Sequence, residues 1–261
     1  MFDLDESDFR QAVHDLAGLW GHIAFPIIVP KHQPGAAESI GTGFVAEVKG
    51  QIVLVSSLHV MHQLQASKAH IAVIRGKSLH LSGLSARQSR VQDVAVIMTP
   101  PDWQAAHLPE RVNVAQVGLR RPDMLSTGVF LCMGYPVTKN TLQAFHGKTQ
   151  RHLHCLSLRE APPGRVVTTI PNALVLDYDP KKTLTTDGQP AGSPVRLHGM
   201  SGGPCFEVLL GQEVDGRPRL SLSIVGVINE WHPKNGRAIV VSRLSEVMPG
   251  AYEDTPVTEI A

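Results

Sequence analysis

The hydrophobic positions of this chain change period once, near residue 22. Residues 5–20 place Phe9, Val13, Leu16, Leu19 and Trp20 at helical spacing, with acidic residues near the start, where negative charge suits the helix dipole. This predicts a short amphipathic helix lying on the body of the protein. From residue 23 onward the apolar positions come in short runs rich in branched residues. Runs at 23–29, 41–48, 51–57, 71–74, 91–98, 112–117 and 128–133 are strand candidates, as are those at 152–158, 165–170, 173–178, 204–210, 220–228 and 237–241. Lys49-Gly50 between two of these runs predicts a hairpin. Residues 58–64 read as one or two helical turns. Pro100-Pro101-Asp102, Gly134-Tyr135-Pro136, Pro162-Pro163-Gly164 and Asp215-Gly216-Arg217-Pro218 read as turns. Many short strands with little helix describe an all-β barrel or sandwich. The alternating pattern of a doubly wound sheet is absent, and no internal repeat is visible.

Composition narrows the field. A chain of 261 residues forms one large domain or two small ones. A hydrophobic fraction of 43% beside 18% charged residues is that of an ordinary globular protein. The net charge of +1 gives no ground for a nucleic-acid partner or an anionic membrane surface, and no apolar run has the length to span a bilayer. The three cysteines, Cys132, Cys155 and Cys205, are odd in number and form no Cys-x-x-Cys pair, so buried free thiols in a reducing compartment are expected. The acidic N-terminus lacks the basic and apolar regions of a secretory signal, which points to a cytoplasmic protein. Of the thirteen histidines only His59/His62 and His152/His154 are closely spaced. Neither pair has the company a zinc site needs, so no metal and no cofactor are expected.

Candidate chemistry converges on three segments. Leu197 to Pro204 contains Gly-x-Ser-Gly-Gly-Pro, a glycine-flanked turn presenting the hydroxyl of Ser201. The glycines leave room for a group to approach that hydroxyl and the neighbouring N–H groups. His59 follows the apolar run 52–57, and Asp93 opens the run Asp93-Val94-Ala95-Val96-Ile97. A serine hydroxyl is a weak nucleophile until an imidazole takes its proton, and a carboxylate fixes the imidazole tautomer. The chain supplies all three types, each at the edge of an apolar strand. The N–H groups of Gly199 and Ser201 are the candidate oxyanion hole.

The segments Gly41-Thr42-Gly43-Phe44-Val45, Val55-Ser56-Ser57-Leu58-His59-Val60, Asp93-Val94-Ala95-Val96-Ile97 and Gly199-Met200-Ser201-Gly202-Gly203-Pro204 resemble the trypsin-like (chymotrypsin-fold) serine endopeptidases. In style they are closest to the bacterial intracellular and Deg-type members. Ile224-Val225-Gly226-Val227-Ile228-Asn229 and Arg237-Ala238-Ile239-Val240-Val241-Ser242 extend the resemblance, which runs from about residue 23 to residue 248. It implies two packed six-stranded antiparallel β-barrels preceded by the short helix. The division is an N-terminal helical extension (1–22), a first barrel with His59 and Asp93 (23–117), a second barrel with Ser201 (118–248), and a tail (249–261). It implies a protein or peptide substrate cleaved through an acyl-enzyme.

Two departures from the family pattern carry meaning. Met200 stands where activatable secreted members place an acid that receives a freed N-terminus, so activation of that kind is not expected. A peptide-binding module after the second barrel, which Deg-type members often carry, is not expected. The resemblance also assigns a substrate pocket: Val195 and Arg196 at its base and side, His198 at its rim, and Ile228, Asn229 and Glu230, continuing to Trp231, as the opposite wall. The backbone of that wall would pair with an extended substrate. Nothing there selects Arg or Lys. A small or apolar preference and an acidic one, through Arg196 and His198, both stay open. So do an idle triad on a protein-binding scaffold and an enzyme held latent until a regulatory partner binds, with residues 118–128 and 181–193 as the loops involved.

Overall fold

The computed structural model describes residues 6–30, 37–66, 71–74, 77–81, 84–107, 115–116, 124–136, 153–178, 184–185, 197–212, 216–233 and 237–248. The N-terminal helix is present as α1 (Glu6–Trp20). Val13 and Ala17 are buried, and Phe9 and Trp20 pack on the same apolar cluster. Leu19 points away and stays 56% exposed. A single 3-10 turn (Gly21–Ile23) then delivers the chain into the first sheet.

That sheet comprises β1 (Ala24–Pro30), β2 (Ala37–Val48), β3 (Gln51–Ser57), β4 (Ile71–Ile74), β5 (Lys77–His80), β6 (Ala86–Ser89), β7 (Val94–Met98) and β8 (Ala115–Gln116). Helix α2 (Leu58–Ala66) follows β3, and α3 (Pro101–His107) follows β7. The strand order is β5-β4-β1-β2-β3-β7-β6, antiparallel throughout, with β8 running parallel to β2. The second sheet comprises β9 (Leu125–Gly134), β10 (His154–Glu160), β11 (Leu174–Asp177), β12 (Leu184–Thr185), β13 (Pro204–Gln212), β14 (Pro218–His232) and β15 (Ala238–Arg243), and α4 (Leu244–Val247) follows β15. Its order is β11-β15-β14-β13-β9-β10-β12, and a β10–β11 pairing closes six of these strands into a ring.

Two packed antiparallel β units are thus present. The second is a closed six-stranded barrel with β12 sharing the edge of β10. The first has eight strands, and its ladders among the described residues leave it open between β5 and β6.

The period-2 alternation sorts the side chains into three clusters. Val45, Leu54, Ala95 and Ile97 face the interior of the first sheet. Phe130, Cys132, Leu156, Cys205 and Ile228 face the interior of the second. Their neighbours Phe44, Val53, Val55, Val94 and Val96 meet Val129, Leu131, Met133, Phe206 and Val227 between the two sheets, and α1 packs on that shared layer. At roughly 25 cal/mol per Å² of apolar surface removed from water, this layer is a main source of docking energy.

The expected hairpin joins β2 to β3 with Val48 opposite Gln51. Lys49 and Gly50 both take positive φ, 50° and 77°, as a tight type I′ turn requires. Three expectations need correction. Residues 165–170 are not a strand but part of an irregular segment. Val167 is 93% exposed, and the Ile170 N–H is taken by Thr168 Oγ1, 3.1 Å away, so the local side-chain bond replaces a ladder. Pro101 starts a helix where a turn was expected, because a proline costs nothing at a first helical position. The polar strands β5 and β6 carry no apolar run and were not anticipated. Of the candidate strand 112–117, only Ala115–Gln116 falls within the described residues. All three cysteines are free and buried, and burial pushes the Cys132 and Cys155 thiols up.

Candidate active site

The first sheet supplies His59 and Asp93. β3 ends at Ser57, and α2 begins at once, so His59 sits on the first turn of a helix anchored by buried Leu58, Val60, Met61 and Leu64. Asp93 lies just before β7, which pairs antiparallel with β3. Its φ is +51°, an uncommon backbone state that Asp and Asn tolerate better than most residues. Three bonds hold it there. Its carbonyl accepts the Leu58 N–H at 3.0 Å, Oδ1 accepts the His59 N–H at 3.0 Å, and Oδ2 lies 2.6 Å from His59 Nδ1. A carboxylate this close to Nδ1 puts the proton on Nδ1 and leaves Nε2 with its lone pair.

The second barrel supplies Ser201, from two consecutive β-turns. The Met200 N–H bonds Leu197 O at 2.9 Å, and the Gly203 N–H bonds Met200 O at 2.9 Å. The third residue of each turn, Gly199 at φ +94° and Gly202 at φ +88°, has the positive φ a type II turn needs. Gly202 has a second reason to be glycine: a Cβ there would overlap Thr42 O and Ser56 Oγ. The Gly202 N–H reaches Ile228 O at 2.7 Å, and Gly203 O accepts from Ile228 N–H at 2.9 Å, which ties the turn to β14. The N–H groups of Gly199 and Ser201 donate to nothing among the described residues. Those are the two proposed from sequence as oxyanion donors. The buried Met200 packs under the turn with Leu197, Cys205 and Ile228, in keeping with its apolar character.

The first sheet reaches across to hold the turn. Thr42 N–H donates to Ser201 O at 2.8 Å, and Thr42 Oγ1 donates to Gly199 O at 2.6 Å while accepting the Tyr135 N–H at 2.9 Å. Ser56 Oγ in turn donates to Thr42 O at 2.7 Å. The sequence signal for Thr42 is a hydroxyl residue between two glycines in an apolar run, and the fold buries it fully. The Ser201 hydroxyl donates to the Asn229 carbonyl at 3.2 Å, and no bond joins it to His59 among the described residues.

The substrate wall differs from expectation. Val195 and Arg196 lie outside the described residues. His198 is exposed and meets Trp231 edge-on, with ring centroids 5.7 Å apart. Ile228 is buried in the barrel core, and the Asn229 side chain is only 4% exposed, so neither side chain can line a pocket wall. Asn229 is instead a buried node. Its Oδ1 accepts from Ser57 Oγ at 2.6 Å, and its Nδ2 donates to Gln92 O at 3.0 Å and to Ser242 Oγ at 2.5 Å. This places Ser57, Gln92 and Ser242, none of them anticipated, beneath His59 and Asp93. Glu230 is half-buried and engaged by His232 Nε2 at 2.8 Å and Thr168 Oγ1 at 3.3 Å. No helix among the described residues is long and apolar enough to cross a membrane.

The chain matches no protein-family model and no curated protein. Among solved structures it is similar to the Rv3671c protease of M. tuberculosis. The inactive form is 16% identical, covering 98% of this chain and 98% of that one, with a TM-score of 0.44. The active form is 15% identical, covering 95% and 88%, at 0.44. The thermostable serine protease AL20 from an extremophilic microorganism is 10% identical, covering 89% and 95%, at 0.43. With identities of 10–16% and TM-scores of 0.43–0.44, the side chains of the site must carry any functional reading.

Proposed function

We propose that this chain is a serine endopeptidase acting through His59, Asp93 and Ser201. One observation carries the reading: a carboxylate-bound imidazole follows β3 of one sheet, and a serine turn of the other, bonded to the first through Thr42, has Gly199 and Ser201 N–H groups with no partner among the described residues. The substrate carbonyl oxygen takes those two N–H groups. The Ser201 hydroxyl leaves the Asn229 carbonyl, turns to His59 Nε2 and attacks the carbonyl carbon while Nε2 takes its proton. Asp93 stabilises the resulting imidazolium. Collapse breaks the C–N bond, Nε2 protonates the leaving amine, and an acyl-Ser201 ester remains for water to hydrolyse with His59 again as base. The substrate class is a protein or peptide, and the free buried thiols suit a reducing, cytoplasmic setting.

A second reading, an idle scaffold or a latent enzyme awaiting a partner, draws on the Ser201–Asn229 bond, since the hydroxyl rests away from its base. A fluorophosphonate probe separates the two. Labelling of wild type that is lost in Ser201→Ala and in His59→Ala is expected. A folded wild-type protein that never labels would sink the enzyme reading.

A further inference from the structure

A large side chain of β14, Trp231, stands against His198 of the Ser201 turn. The site of a reacting carbonyl is set by Ser201 Oγ and the N–H groups of Gly199 and Ser201. Thr42 closes the side of the turn that it bonds. The other side is tied to β14 through Ile228, so a side chain carried by that carbonyl would lie between the turn and β14. Trp231 is on that strand and meets His198 of the turn. It packs on the buried cluster that includes Leu197, Met200, Ile228 and Ile239.

The bulge in β14 explains the direction. The β14–β15 register shifts between Ile228 and Glu230. Asn229 therefore turns down to Ser57 and Ser242, Glu230 turns to Thr168 and His232, and Ile228 and Trp231 both face the cluster. At the mouth, His198 lies edge-on to the indole at 84°, so turn and strand touch. Trp231 Nε1 is buried and donates to nothing among the described residues, which leaves apolar packing to hold the ring.

We infer that Trp231, closed over by His198, makes the space between the turn and β14 shallow and restricts the residue on the acyl side of the cleaved bond to Gly, Ala or Ser. The inference rests on the endopeptidase reading and adds its substrate class. A large side chain can enter only by expelling the indole from its cluster. One methylene in a fitted pocket changes selectivity by about 10- to 200-fold, so Ala over Phe should exceed about 100-fold.

The test uses peptidyl diphenyl phosphonates that differ only in the side chain next to phosphorus; an active serine attacks phosphorus, expels phenol and stays phosphonylated without turnover. A plain fluorophosphonate with no such side chain runs in parallel. Wild type should react with the Ala analogue about 100-fold or more faster than with the Phe analogue. Trp231→Ala should lose most of that ratio by gaining rate on Phe. The milder Trp231→Leu should admit the Val analogue. Equal wild-type rates, with the plain probe still labelling Ser201, overturn the inference and leave the endopeptidase reading standing. A wild-type preference unchanged in folded Trp231→Ala and Trp231→Leu removes Trp231 as its cause. Failure of the plain probe overturns both readings together.

Discussion

The two arms of the site are held in opposite ways. His59 and Asp93 sit on neighbouring segments of one unit, and the bonds made directly to Asp93 among the described residues come from those segments: Leu58 N–H, His59 N–H and His59 Nδ1 all converge on it. The Ser201 turn leans on both sheets. β14 holds it through Ile228, and β2 holds it through Thr42, which bonds Ser201 O and Gly199 O across the interface. The proposed base is therefore bonded to its acid within its own unit, whereas the proposed nucleophile is organised by docking. A change at the interface should loosen Ser201 and leave the imidazole where it is.

The largest expected effect attacks the self-contained arm. Asparagine is close in shape to aspartate and tolerates the positive φ of residue 93. Asp93→Asn should keep the fold but present an amide N–H where Oδ2 now accepts from His59 Nδ1. That reverses the tautomer preference and leaves Nε2 unable to take the serine proton. Turnover should fall by about 10⁴-fold, with the melting temperature little changed. If peptide hydrolysis falls less than tenfold, the proposed role of Asp93 is wrong.

A smaller effect separates the arms. Thr42→Val keeps the shape of a fully buried side chain but strips Gly199 O of its donor and the Tyr135 N–H of its acceptor. Leaving such buried groups unpaired costs about 1–3 kcal/mol. Fluorophosphonate labelling of Ser201 should slow roughly tenfold, a loss of about 1.4 kcal/mol in the barrier. The proton on His59 Nδ1, followed by NMR, should stay bound to Asp93. Loss of that proton signal in step with labelling would mean that the arms are not independent.

What the sequence revealed, and what it hid, follows the same division. His59, Asp93 and Ser201 were legible because each lies beside an apolar run and carries a residue type its chemistry requires. The turn around Ser201 was legible through its glycines, and Gly199 and Gly202 do take positive φ. The buried polar supports were not. Ser57, Gln92, Asn229 and Ser242 are common residue types with no period of their own, and only the folded chain shows that they satisfy one another. Asn229 was assigned to a wall by the resemblance alone, which says nothing of where its side chain goes; at the β14 bulge it turns to Ser57, Gln92 and Ser242. The direction of Trp231 was hidden for the same reason. The first sheet proved larger than six strands because β5 and β6 are too polar to announce themselves.

The smallest expected effect asks whether the loop from the second barrel steadies Asp93. In the segment 161–173 between β10 and β11, Pro171 O accepts from Gln92 Nε2 at 3.2 Å, next in sequence to Asp93. Asn172 holds a φ of +53° and bonds Glu246 through an exposed side chain. Asn172→Ala places a Cβ-bearing residue without a local polar partner in the left-handed region, at a cost of about 1 kcal/mol. Asn172→Gly removes that strain and should stay within about 0.5 kcal/mol of wild type. Urea denaturation resolves the two. If the base–acid arm is organised by its own sheet, Asn172→Ala will lose stability while labelling of Ser201 keeps its wild-type rate. A slower labelling rate in the folded variant would show that Gln92 passes the strain to Asp93, and the division between a self-held base and a docked nucleophile would have to be redrawn around Gln92.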